Sequence, residues 1–413
     1  MKSDYDYIII GAGIIGLATA RTLIERSPQA KILILEKEGE IAQHSTGRSS
    51  GVLHAGFYYT SETLKARFSV LGNKALRQYC TDRKLPLNTC GKLVVAQNDT
   101  EVQQLHELKR RGDANGSSVE LVTEAEARKI NPLAKTSGTA LYSPLTATVD
   151  PRAVAAAMAE ELRSVGVEIR LRSPYRGRDE NNVIRAGREV YSAKMIINCA
   201  GVYADRIAQD YGFGTSYTII PFKGLYLKYH GDLPALTTHI YPVPDLKQTF
   251  LGVHFTLTAD NHVKIGPTAI PAFWRENYTG VKNFSAGDLV EILYYQARLF
   301  ATNAFNFRSL AFEEMKKYSR AYLASLATKL ADQFDPGAFR EFMRPGIRAQ
   351  LIEKKTLKLV MDFIVEGDSS SVHVLNAISP GFTCSVPFSE YVVDNWILPR
   401  AVHGAEESSI KSV

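Results

Sequence analysis

The chain has 413 residues, 45% of them hydrophobic and 22% charged, with a formal net charge of +6. This is the balance of an ordinary soluble globular protein, and it excludes a disordered or collagen-like chain. The basic residues are scattered rather than clustered, which argues against nucleic acid. The four cysteines, Cys80, Cys90, Cys199 and Cys384, form no CxxC and no metal-ligand spacing, so free thiols and no metal are expected. The length exceeds what a single core organises well and predicts two domains.

The first forty residues carry the strongest signal. An apolar run, Tyr7-Ile8-Ile9-Ile10, leads into Gly11-Ala12-Gly13-Ile14-Ile15-Gly16, and a second run, Ile32-Leu33-Ile34-Leu35, ends on Glu36. Strand, glycine turn, helix, strand and acid follow in the order of a dinucleotide-binding βαβ unit. Gly11 permits the tight turn, Gly13 lets a pyrophosphate approach, and Gly16 lets helix and strand pack closely. The helix start offers N–H groups and a positive dipole end to phosphates. The expected nucleotide contacts are Gly11, Gly13, Ile15, Gly16, Glu36 and Lys37, with Glu36 accepting from a ribose hydroxyl.

Further elements follow in chain order. A small-residue loop runs from His44 to Tyr59. A helix is expected over 60–84, a strand over 91–97, a helix over 100–115, and irregular structure with some strand over 131–148. Asp150-Pro151 caps and opens a helix to about Val165, which Gly166 ends. Strands follow at 167–171 and 194–198. Alternation over 217–264 predicts an antiparallel sheet. Residues 285 to about 333 read as helical, 357–365 and 372–375 as strands, and Gly381 opens a last helix toward Leu398.

The fold class expected is α/β: a Rossmann-like FAD-binding domain (1–85, 146–216 and 350–400) interleaved with an α+β substrate domain (86–145 and 217–349) that contains a large antiparallel sheet. Residues 401–413 read as a loose tail. Only one GxGxxG stands between strand and helix, and no redox cysteine pair is present, which argues against a flavin disulfide reductase. A single-site NAD dehydrogenase stays open, but the loop His44-Ser45-Thr46-Gly47-Arg48-Ser49-Ser50-Gly51 could cradle the ribityl and pyrophosphate of FAD, with Gly47, Arg48, Ser49, Ser50 and Gly51 as the expected contacts. The N-terminus shows no signal or transit peptide, and no apolar stretch reaches membrane-spanning length. A cytoplasmic location is expected, with peripheral attachment to the inner face of the cytoplasmic membrane as an option.

The fingerprint, the segment from His44 to Tyr59 and Asn198-Cys199-Ala200-Gly201 resemble the D-amino-acid-oxidase-type FAD superfamily. Within it, the chain most resembles the L-2-hydroxyglutarate dehydrogenases (oxidases). Cys90-Gly91-Lys92, Pro221-Phe222-Lys223-Gly224, Ile240-Tyr241-Pro242-Val243-Pro244, Phe250-Leu251-Gly252-Val253-His254 and Pro345-Gly346-Ile347-Arg348-Ala349-Gln350 match, over about residues 4 to 395. Lys223 departs from the arginine of many relatives, keeping charge but losing bidentate geometry. The resemblance implies FAD-dependent oxidation of L-2-hydroxyglutarate to 2-oxoglutarate, with electrons passed to a membrane quinone or oxygen.

Such a reaction removes a hydride from C2 and a proton from the hydroxyl, and the proton needs a base. His54 is the first candidate and His254 the second, because histidine is neutral and proton-accepting near pH 7. Arg348 is expected to hold a carboxylate through its fork. Lys223 and Tyr241 are candidates for the second carboxylate or the flavin edge. Tyr175, Gly201 and Gly381-Phe382-Thr383 complete the expected FAD contacts, the last as a helix start whose dipole would favour anionic reduced flavin. The stretch 289–312, with Arg298 and Arg308 among apolar residues, could dock on a membrane. The rival reading is an amine or amino-acid oxidase of the same superfamily. A third is a non-catalytic FAD-binding or RNA-modification scaffold.

Overall fold

The computed structural model of the chain describes residues 4–179, 183–244 and 250–402. All but the first two residues of the expected tail lie outside them. The chain divides into two compact units. The first is Met1–Gly47, Pro151–Ile220 and Ala349–Val413, and the second is Arg48–Asp150 and Pro221–Arg348.

In the first unit, Tyr5–Ile10 pairs in parallel with Ile32–Leu35 on one side and Glu189–Asn198 on the other. Glu168–Arg170 and Ser371–Asn376 extend the parallel set outward. Ile8, Ile9, Leu33, Ile34, Ile196 and Ile197 are fully buried. A parallel sheet buries both faces, which is why these strands read as unbroken apolar runs. The helix Ile14–Arg26 follows the glycine turn and packs against Pro151–Ser164 and the late helix Gly381–Val392. The expected strand 194–198 is the end of a ten-residue strand, Glu189–Asn198. Its outer half pairs with a hairpin, Tyr175–Arg178 and Val183–Ala186, that sequence alternation did not mark. The strand expected over 357–365 lies instead at Ile364–Gly367 and overlaps the expected span at two residues. Leu357 has φ +59°, a left-handed conformation that a strand cannot contain.

In the second unit, a large sheet runs, from edge to edge, through Phe339–Phe342, Leu227–Tyr229, Val263–Gly266, His254–Leu257, His239–Pro242, Lys92–Val95, Thr139–Ser143 and Glu120–Thr123. Every pairing is antiparallel except Lys92–Val95 with His239–Pro242. Leu93, Ile240, Phe255 and Ile265 form one transverse row of this sheet and are fully buried. Leu323, Ala324 and Ala327 of the helix Arg320–Ala327 join them in one hydrophobic cluster. Tyr217–Gly224, expected in the large sheet, belongs to a separate three-stranded one.

Residues 48–85 were expected with the nucleotide-binding unit, but their contacts place them in the second unit. Val52–Leu53 pairs with Ala147–Val149, which also pairs with Leu87–Asn88. The helix Leu64–Asp82 packs on these short strands, and Asn73 Nδ2 donates to the carbonyls of Leu53 (3.0 Å) and Leu145 (3.1 Å). The helical stretch after Ser285 is three helices, Ala286–Thr302, Phe307–Lys316 and Arg320–Ala327. Left-handed Asn303 and Asn306 break the first from the second. Among the described residues, no helix is long and apolar enough to cross a membrane.

Candidate active site

The glycine turn of the first unit is set by close contacts. Gly11 has φ +108°, and a Cβ there would stand 2.6 Å from the Cys199 carbonyl oxygen. A Cβ on Gly16 would stand 2.0 Å from the Gly11 oxygen. Only glycine fits either position. Glu36 anchors the turn from the second strand: Oε2 accepts from the Ala12 N–H (2.9 Å) and Oε1 from the Glu38 N–H (3.0 Å). Each oxygen keeps a second lone pair for a ribose hydroxyl. Thr46 Oγ1 accepts from the Ile14 N–H at 3.0 Å and caps the helix, a role the sequence reading did not assign. The remaining N–H groups of the first turn have no partner within a helix and suit phosphate oxygens. A cradle that any Cβ would fill, under a helix start and beside a buried acid, fits a dinucleotide pyrophosphate.

The other expected cofactor residues of this unit are dispersed around that turn's sheet. Lys37 pairs with Glu38 at 2.6 Å and lies 5.5 Å from the Tyr203 ring centroid. Gly201 has φ +59° and opens a short turn held by Asn198, which donates to the Ala204 carbonyl (2.8 Å) and accepts from the Ala200 N–H (3.1 Å). Tyr175 packs on the outer hairpin against the core around Ile10 and Leu35. Gly381, Phe382 and Thr383 form the first turn of their helix, whose N-cap Pro380 makes no side-chain cap bond. Gly47 leaves no room for a Cβ, which would stand 2.2 Å from the Ala42 oxygen.

Arg48, Ser49, Ser50 and Gly51 fall in the second unit. Arg48 Nη1 donates to the Pro345 carbonyl (3.0 Å), and its guanidinium lies 4.0 Å from the Tyr278 ring centroid. The Ser49 hydroxyl is buried without a hydrogen-bond partner among the described residues. Ser50 offers its carbonyl to Lys264 Nζ at 3.1 Å, and the Gly51 carbonyl accepts from the Val149 N–H at 2.9 Å.

The large sheet of the second unit has a polar face. Side chains alternate along a strand, so the neighbours of the buried row Leu93, Ile240, Phe255 and Ile265 point the other way. Lys92 stands beside His239, and Thr256 beside Lys264. Tyr241 and His254 stand in the next row with their rings stacked, centroids 3.6 Å apart and planes within 17°. The loop after Val52–Leu53 brings His54, Phe57 and Tyr58 to the same cluster: Lys92 Nζ lies 4.0 Å from the Tyr241 centroid, 5.2 Å from Tyr58 and 5.6 Å from Phe57.

Three histidines in this cluster are held below the ordinary histidine value, chiefly by burial. His239 Nδ1 accepts from the Leu257 N–H (3.1 Å), so its Nε2–H faces Thr148 Oγ1 (2.9 Å) and Cys90 Sγ (3.4 Å). Both nitrogens are committed to structure. His254 Nδ1 faces the Gly252 carbonyl at 2.8 Å. A carbonyl only accepts, so Nδ1 carries the hydrogen and Nε2 the lone pair. Burial pulls His254 down to about 3; the Gly252 bond opposes the shift, and the charges of Lys92, Lys264 and Arg348 reinforce it. His54 lies well below the ordinary histidine value through burial, then through Lys92 and His254. Of the three it is the one that keeps partial exposure; His239 and His254 are 0% and 3% exposed.

The cations are unusual in lacking close ion pairs: Asp260 acts on Lys264 and Glu314 on Arg348 only through longer-range charge. Lys92 is 0% exposed, and its Nζ has no hydrogen-bond partner among the described residues. Burial pulls it down to about 7. Lys264 is pulled to about 8, again by burial. Arg348 is lowered by burial, and its guanidinium lies 4.9 Å from the Phe250 centroid. Neither Lys92, Lys264 nor Arg348 makes an ion pair with a described carboxylate. Lys223 stands in the separate small sheet opposite Ile270, largely buried and lowered for that reason. The sequence reading missed His239 and Lys264 and gave Lys92 no role. The local signals for Lys92 were its place in the matching segment Cys90-Gly91-Lys92 and at the head of the apolar run Leu93-Val94-Val95.

Gly11–Gly16 can hold a pyrophosphate, and the histidine face can take a proton from an anionic substrate. A nucleotide-dependent oxidoreductase is the class these features define. The FAD dependent oxidoreductase family model matches residues 6–394. The L-2-hydroxyglutarate dehydrogenase of Escherichia coli (strain K12) is 37% identical over 399 residues, covering 94% of this chain and 92% of that one. The mitochondrial L-2-hydroxyglutarate dehydrogenase of Homo sapiens is 35% identical, covering 95% of this chain and 88% of that one. In fold, L-alpha-glycerophosphate oxidase from Mycoplasma pneumoniae, solved with FAD bound, superposes with a TM-score of 0.73 at 22% identity, over 96% of each chain. This chain therefore belongs to the FAD dependent oxidoreductase family, and within it to the group of the L-2-hydroxyglutarate dehydrogenases, with FAD as cofactor.

Proposed function

We propose that this enzyme oxidises the CH–OH of L-2-hydroxyglutarate to 2-oxoglutarate. The observation that carries the reading is the cationic face, where Lys264, Arg348 and Lys92 bear on His254 without paired carboxylates. Two substrate carboxylates would complete that charge balance. Neutral histidine is the form that can accept a hydroxyl proton.

The residues divide the work as follows. Arg348 holds one carboxylate through its planar fork, and Lys264 meets the second as a point charge. Lys223 and Tyr241 remain candidates for the second carboxylate or the flavin edge. His54 accepts the hydroxyl proton, because a base must touch substrate and His54 is the one histidine of the cluster that keeps partial exposure. His254 Nε2 is the alternative acceptor. When bound, FAD supplies the acceptor for the hydride that leaves C2. Gly11, Gly13, Ile15 and Gly16 would hold its pyrophosphate, and Glu36 its ribose.

The test is anaerobic mixing of the purified flavoprotein with each enantiomer. Bleaching of the flavin by L- but not D-2-hydroxyglutarate is expected. Bleaching by an amino acid instead would move the enzyme to the amine-oxidase branch.

Electrons are proposed to leave for a membrane quinone, the protein lying peripherally on the inner face of the cytoplasmic membrane. Val290, Leu293, Tyr294, Phe300 and Phe312 are all more than 40% exposed, and Arg298 and Arg308 lie against the Tyr294 and Phe300 rings. Aromatic rings with adjoining guanidinium groups suit an anionic lipid surface. Co-sedimentation with anionic but not zwitterionic vesicles is expected.

A further inference from the structure

Lys92 belongs to the cationic face, but the proposed chemistry gives it no contact with substrate. Folding rarely leaves an ammonium without a partner unless something else compensates it. His254 covers one face of Tyr241 at 3.6 Å. Lys92 Nζ, 4.0 Å from the same centroid, must take the other face, because the first has no room. The three groups form a sandwich: ammonium, phenol ring, imidazole. The groups that face Lys92 are few. His54, Phe57 and Tyr58 come from the loop and Cys90 from the segment just before its own strand. His239 and Tyr241 come from one neighbouring strand, and Ser143 stands on the other. His254 and Lys264 lie beyond His239 and Tyr241. No carboxylate is among them. The rings favour the cation but do not neutralise it.

We propose that Lys92 is a positioning residue for the oxidation, whose ammonium steadies the Tyr241–His254 stack from behind and supplies a positive charge that opposes protonation of the histidines and favours a dianionic substrate. The proposal rests on the hydroxyglutarate reading. Its field acts in two directions. A dianion near the cluster draws Lys92 toward its charged form, and a charged Lys92 makes protonation of His54 and His254 harder. The enzyme then keeps its base available at lower pH than an isolated imidazole would allow.

The experiment uses holoenzyme. Wild-type protein is first tested for bleaching by L-2-hydroxyglutarate. Failure there removes the substrate reading, and Lys92 is then examined with whichever substrate bleaches the flavin. Lys92→Met removes the charge at similar length, and Lys92→Arg keeps it. In Lys92→Met, the acid limb of the kcat/KM profile is expected to move up by roughly one pH unit. KM at pH 7 should rise about tenfold, with kcat changed less than about threefold. Lys92→Arg should leave the acid limb where it is. Lys92→Gln serves if the methionine variant does not retain flavin, and the same upward shift is expected of it. An unmoved acid limb in the neutral variants overturns the proposal. So does an equal shift in Lys92→Arg, which would mark packing rather than charge.

Discussion

At Gly11–Gly16 the chain works with its backbone. The turn is shaped by what is missing, since a Cβ at Gly11 or Gly16 would meet a carbonyl oxygen at 2.6 or 2.0 Å. It is anchored by N–H groups on Glu36 and Thr46. The polar face of the second unit works with side chains from strands far apart in sequence: Lys92, His239, His254 and Lys264 meet only because of strand register. A backbone site must be contiguous, tolerates no substitution at its tight glycines, and carries little charge of its own. A side-chain site can be scattered, is tuned by burial, and responds to pH.

The sharpest way to separate the two constructions is to remove chemistry from one while leaving the other intact. In His54→Ala, turnover should fall by ~10³ if this histidine is the proton acceptor. Flavin content should stay near wild type, because the pyrophosphate cradle is built elsewhere in the sequence. Turnover per bound flavin and the flavin spectrum read both halves at once. Normal turnover per flavin would move the base to His254, whose Nε2 holds the lone pair.

Arg348→Lys comes next in size. The charge survives but the fork does not, so KM for hydroxyglutarate should rise about 10- to 100-fold with FAD retained. Steady-state kinetics with flavin quantitation decides it. Unchanged saturation would leave Arg348 as packing against Phe250.

These two positions also mark how far the sequence could be read. The strand Tyr5–Ile10, the helix after the glycine turn and the last helix from Gly381 were legible because each is a local pattern. His54, His254 and Arg348 were legible as residue types inside distinctive segments. Lys92, His239 and Lys264 were not. Their meaning depends on strand pairings, the parallel one between residues 92–95 and 239–242 and the one that sets Lys264 opposite Thr256, that no local pattern announces. The paired strands Tyr175–Arg178 and Val183–Ala186 were missed for another reason: charged residues such as Arg176, Arg178 and Arg185 hid their alternation.

Acid stability should also differ between the units. His54, His239 and His254 in the second, and His373 in the first, are all held below the ordinary histidine value, chiefly by burial. The unfolded chain takes up protons below about pH 6.5, whereas the folded chain refuses them until well below that. Stability from these groups is therefore fully present above about 6.5 and is lost as pH falls below it, at ~1.4 kcal/mol per histidine per pH unit. Three of the four lie in the second unit, so its amides should lose protection first on acidification. Hydrogen exchange at pH 7 and pH 5 measures this. Equal loss in both units would mean that the buried histidines are not what distinguishes them.

The smallest expected effect tests whether the glycine turn carries its shape without the nucleotide. Glu36 accepts from two backbone N–H groups, on Ala12 and Glu38, before any ribose hydroxyl arrives. In Glu36→Gln one of those N–H groups faces an amide donor and loses its acceptor. The protein stripped of flavin should lose ~1 kcal/mol of stability, and FAD should bind about tenfold more weakly. A glutamate that served the ribose alone would show only the second change. Thermal unfolding with and without flavin separates the two. Loss in both states is expected, because the acid that would meet the ribose already holds the turn that would meet the phosphates.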